Sequence, residues 1–181
     1  MRHVFTRRAV LFGAVSVAAA SGGCAEAGLE EPREAILGTN DRGKIVGTYD
    51  RGVERYNDGT KARDAGARAF NDERYEDAAD TLETATAHYA DAIDSFREAE
   101  TMGEDAGVPP AAGICDEAAR HADLMRESTL EAREAASAAE AGKSTSDING
   151  HTETSRELQA EAEELTVSDP ERLLETLEAQ S

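Results

Sequence analysis

The sequence predicts an all-α protein, an antiparallel up-down four-helix bundle with a short C-terminal helix. Three observations carry that expectation. Apolar and small residues recur at spacings of three and four through four long segments of the 181-residue chain. Asp, Glu and Arg fill the faces between those stripes, so each segment is amphipathic along its length. The breaks are short and rich in Gly, Asn, Asp and Ser, and a short connection turns each helix back along the last.

The first stripe runs through Ile45, Tyr49, Val53, Tyr56, Thr60, Arg63, Ala67 and Phe70, weakened in its middle by Gly59 and Arg63. The second, through Tyr75, Ala78, Leu82, Ala85, Tyr89, Ile93, Phe96 and Ala99, is the strongest in the chain. Its pattern predicts a helix of roughly 27 residues, ~40 Å at a rise of 1.5 Å per residue. The third has Ile114, Ala118, His121, Met125, Thr129, Ala132, Ala136 and Ala139, and the fourth Ile148, His151, Ser155, Leu158, Ala162 and Leu165. Asn71-Asp72-Glu73, Gly103 through Pro110 and Gly142 to Ser146 separate them. Ser168-Asp169-Pro170 is a helix-start signal for a terminal helix over 171–179. The alanines of the third helix permit close approach but bury little area each, so the core is modest beside a Leu-rich one.

Gly66, Phe70, Tyr75, Ala78, Leu82 and Ala85 fall where a tetratricopeptide hairpin places its small and aromatic packing residues, and this one stretch resembles that repeat. The match covers about 20 residues and does not recur, whereas such arrays need about three repeats. The bundle is the leading architecture, with a tetratricopeptide-like scaffold as an alternative.

The formal net charge is -19, yet no Asp or Glu precedes Glu26. Arg2, Arg7 and Arg8 fall in the first 23 residues; without them 16 basic groups face 38 acidic ones, a net charge of -22. Counterion release on nucleic acid needs clustered Lys and Arg, so nucleic acid is excluded as a partner class. Only Lys44, Lys61 and Lys143 are lysines, against sixteen arginines. Acidic excess, scarce Lys and abundant Ala together resemble the protein style of salt-loving archaea. At molar salt the Debye length is ~3 Å, which screens the self-repulsion of such a chain.

Residues 1–23 comprise a basic start with Arg7-Arg8, an apolar run from Ala9 to Ala20, and Ser21-Gly22-Gly23 before Cys24. That layout is an export signal. The apolar run has about twelve residues, short of the ~20 that cross a bilayer as a helix. Thr6-Arg7-Arg8-Ala9-Val10-Leu11 resembles the twin-arginine signal, and Ser21-Gly22-Gly23-Cys24 resembles a lipobox. Ser21 departs from the aliphatic residue usual at the first lipobox position. The combined resemblance is to haloarchaeal twin-arginine-exported lipoproteins, and it implies lipidation of Cys24 and anchoring on the outer face of the cell membrane. The chain then divides into a signal (1–23), a tether (24–40) with a helical turn or two over 32–37, and a bundle domain (41–181). With Cys24 lipidated, Cys115 has no cysteine partner and is expected to be a small buried hydrophobe.

The histidines do not form a di-iron pattern: the residues three before His88, His121 and His151 are Ala85, Ala118 and Ile148, where Glu would be required. His121 and Met125 share a face with Cys115 upstream, the donor types of a soft-metal site, but seam packing is the simpler expectation. No phosphate cradle, nucleophile elbow, zinc-spaced cysteine pair or haem-attachment motif occurs. No cofactor, metal or catalytic activity is therefore expected. The leading functional reading is an interaction module that binds another cell-envelope protein, with Tyr49, Tyr56, Tyr75 and Tyr89 as a contact surface or, more simply, as core. The alternative is a ligand-binding or sensory domain with a cavity beside the Ala-rich third helix.

Overall fold

The computed structural model describes residues 41–179. They form five helices: α1 (Asp41–Asn71), α2 (Tyr75–Asp105), α3 (Pro109–Glu140), α4 (Thr145–Ala162) and α5 (Pro170–Glu178). No strand occurs among the described residues. α1 packs along α2, α2 along α3 and α3 along α4, while α5 lies against α1 and α3. The result is a helical bundle whose fourth position is shared by two shorter helices.

Glycines decide how α1 meets α2. Gly52, Gly59 and Gly66 recur every seven residues on α1 and are buried. Each faces one large side chain of α2: Phe96, Tyr89 and Leu82, again seven apart. A Cβ at Gly52 would lie 2.6 Å from Phe96 Cδ1, one at Gly59 would lie 3.0 Å from Tyr89 Cδ1, and one at Gly66 would lie 2.7 Å from Leu82 Cγ. Notches on one helix thus receive knobs from the other, and a near-heptad period keeps both rows on the shared seam. The weak middle of the first stripe is in fact a packing device. As the residue number rises along α1 it falls along α2, so the two helices run in opposite directions.

Short left-handed turns end the first three helices. Gly107 (φ 69) and Gly142 (φ 66) stand just past α2 and α3, and Glu73 (φ 61) does so after α1. At each turn the next two amides close back on carbonyls of the last helical turn, as in Val108 N to Gly103 O at 2.9 Å and Arg74 N to Ala69 O at 2.9 Å. The second connection is shorter than the sequence suggests. Gly103 is not in a loop: α2 continues to Asp105, and Gly103 is buried where the Ala112 backbone would stand 3.1 Å from any added Cβ. Pro109 then opens α3, where its missing N–H costs nothing. Ser144 caps α4 by accepting from the Asp147 amide at 3.1 Å.

The fourth stripe was expected to reach Leu165, but α4 stops at Ala162. Residues 163–169 are irregular, and α5 then opens at Pro170, one residue ahead of the sequence signal. α4 covers the C-terminal half of α3, with Ser155 against Ser128 and His151 against Glu131. α5 joins the other end, where Leu173 and Leu177 enter a cluster with Ile45, Tyr49, Phe96 and Cys115. Phe70, Leu82, Ala132 and Ala136 form the cluster at the opposite end, and Tyr89, Met125 and Ala162 meet between them.

The interlock makes a signed prediction. Overpacking costs about 1–3 kcal/mol, against about 1 kcal/mol of helix propensity gained on replacing Gly by Ala. Gly52→Ala and Gly66→Ala should therefore lower stability by up to about 2 kcal/mol. Gly47 and Gly113 also lie in helices, but an added Cβ meets nothing within 4 Å. Gly47→Ala and Gly113→Ala should raise stability by about 0.5–1 kcal/mol. Denaturant unfolding at fixed molar salt reads all four, and a common direction for both pairs would refute the interlock.

Candidate functional site

The core is not uniformly apolar. A polar seam crosses the middle of the bundle, and it brings together residues from α1, α2, α3, α4 and the 163–169 connection. It begins at Tyr56 on α1, whose hydroxyl lies 2.8 Å from His121 Nε2 on α3. His121 Nδ1 in turn lies 3.1 Å from the Leu165 carbonyl. A carbonyl only accepts, so Nδ1 carries the proton, Nε2 is the acceptor, and Tyr56 donates to it. Burial pushes the His121 pKa down, opposed by the Leu165 and Ala162 carbonyls and by Glu117 and Glu163. Neutral His121 is thus a bridge between helices with both nitrogens engaged.

One turn along α1, Thr60 donates to the Tyr56 carbonyl at 3.1 Å and shares a 3.2 Å hydrogen bond with the Tyr89 hydroxyl. Tyr89 is fully buried, and desolvation raises its pKa, as it does for Tyr56. Next along α1 is Arg63, buried although it sits on the apolar stripe. Its Nη2 donates to Gln159 Oε1 on α4 at 2.8 Å and to Ser128 Oγ on α3 at 3.3 Å. Ser128 and Ser155 exchange hydrogen bonds: each hydroxyl donates to the other's carbonyl, at 2.7 and 2.8 Å. This reciprocal pair lets α3 and α4 approach with small side chains and no buried polar group wasted. The Arg63 guanidinium is the link from α1 to α4.

The connection after α4 is held by three side chains. Besides His121, Glu117 accepts from the Thr166 amide at 3.0 Å, and Tyr49 donates to the Ser168 carbonyl at 2.8 Å. Tyr49 is fully buried against Phe96, ring centroids 5.0 Å apart. Tyr49 and Tyr89 therefore cannot form the tyrosine contact surface considered from sequence. Tyr56 is half-buried in the seam and Tyr75 half-buried against Phe70. Tyr49, Tyr56 and Tyr89 are packing residues whose hydroxyls anchor backbone or neighbours, and Tyr75 contributes a ring contact.

Cys115 is fully buried, and burial, helped by Glu100, pushes its thiol up to about 12. A thiol held that far from ionisation is a poor nucleophile and metal ligand. Met125 is buried beside Tyr89 and Ala162. Among the described residues no group of three or more His, Cys, Asp or Glu side chains converges. His151 is half-exposed and pairs with Glu131 at 2.8 Å. The residues expected from sequence to carry lipidation (Cys24), the lipobox (Ser21, Gly22 and Gly23) and the export signal (Arg7 and Arg8), with the tether, lie outside the described residues.

Charge is unevenly spread over the helices. α1 carries seven Lys or Arg against five Asp or Glu, whereas α2 carries one against ten. Crowding is felt where α2 faces α3: the Glu100 carboxyl is raised by burial first and then by Asp116 and Glu104. The Leu130 side chain is an exposed large hydrophobic, on α3. No helix among the described residues is long and apolar enough to cross a membrane. No protein-family model, curated protein or solved structure matches the chain.

The seam predicts a pH dependence. His121 in the fold has a pKa below its ordinary 6.5. Above that value the residue contributes no pH term. As pH falls through it, the unfolded chain takes the proton first, and stability drops until pH passes the folded pKa. His121→Gln should flatten this part of the profile. Urea unfolding of both proteins at fixed molar salt checks it, and parallel profiles between pH 7.5 and 5 would remove His121 as the cause.

Proposed function

We propose that this chain is an exported lipoprotein, anchored on the outer face of the cell membrane through Cys24, whose helical domain binds another envelope protein. The observation that carries the reading is the N-terminal pattern: Arg7-Arg8, an acid-free apolar run, then Ser21-Gly22-Gly23-Cys24. Two acyl chains on Cys24 would give the stable anchoring that one chain cannot. A binding role without catalysis agrees with an interior in which Tyr56, His121, Arg63, Ser128 and Ser155 spend their hydrogen bonds on holding helices together. The antiparallel, up-down course of α1 to α4 belongs to the same reading. It is supported by the reversed registers of α1 with α2 and of α3 with α4.

Acidic faces fit a domain that works in concentrated salt. The ten carboxylates of α2 repel one another and those of α3 unless screened. Lowering the salt to ~0.1 M, where the Debye length is ~10 Å, should loosen the fold. Loss of helical circular dichroism and a lower unfolding temperature would show it, while a signal indifferent to salt would reject the halophilic reading.

The address is tested by fractionation. Cys24→Ser should release the protein from membranes, and Arg7→Lys with Arg8→Lys should retain an unprocessed precursor inside the cell. Unchanged fractionation of both would overturn the export reading. The interaction is tested by cross-linking in cells at native salinity, followed by recovery from membranes and mass spectrometry. One dominant envelope partner is the expected result, and recovery of this chain alone would exclude the binding role.

A further inference from the structure

We draw no further inference here: the strongest candidate, the polar side-chain cluster of Tyr56, Arg63, His121 and Gln159 between α1, α3 and α4, belongs to the seam already described, where its hydrogen bonds hold the helices together.

Discussion

The structure depends first on the interlock of α1 and α2. Gly52, Gly59 and Gly66 give α1 a row of notches, and Phe96, Tyr89 and Leu82 give α2 a matching row of knobs. Close backbone approach follows from the missing side chains, and dispersion contacts between the rings and the α1 backbone follow from the approach. A helix with five glycines is intrinsically poor, since each interior one costs up to about 1 kcal/mol relative to Ala. The stability of α1 as a helix is therefore borrowed from α2. Pinned together, the two place Tyr56, Thr60 and Arg63 in one line toward the rest of the bundle.

That line organises the second half of the molecule. Arg63 reaches across to Ser128 and Gln159, and Tyr56 reaches His121, so α3 and α4 take their positions from polar side chains rather than from large apolar ones. α3 supplies mainly alanines to the core, which bury little area but let serines meet directly. Hydrogen bonds are directional where apolar contacts are not, and a poorly aligned seam would leave buried donors unmet. A modest alanine core crossed by a hydrogen-bonded polar seam thus has a defined register. At the α5 end Leu173 and Leu177, both fully buried, complete the cluster to which α3 brings Ala111, Cys115 and Ala118.

Surface charge acts on this frame from outside. The interior clusters are compact and few, while α2 alone presents ten carboxylates. Neighbouring acids such as Glu100, Asp116 and Glu104 oppose one another across helices, and concentrated salt relieves that opposition.

Much of the fold was legible in the sequence because its signals are local. Period-3.6 stripes located all four long helices, Ser168-Asp169-Pro170 located the last one, and lone Cys115 was correctly expected to be buried. Tyr49 and Tyr89 were ambiguous, since an aromatic on a stripe reads equally as core or as contact surface until its partner is known. Gly59 and Gly103 read as interruptions because a glycine's role depends on the side chain or backbone opposite it, here Tyr89 and Ala112. The seam was illegible for the same reason: Arg63, Ser128 and Gln159 are 65 and 96 residues from their contacts with one another along the chain. By itself the sequence determined which segments are helical and the N-terminal pattern from which the export reading is drawn, because both rest on neighbours in the chain. Tertiary structure alone decided which glycines are notches, which polar groups are joined and that the fourth position is divided, because those outcomes depend on atoms that only folding brings within reach.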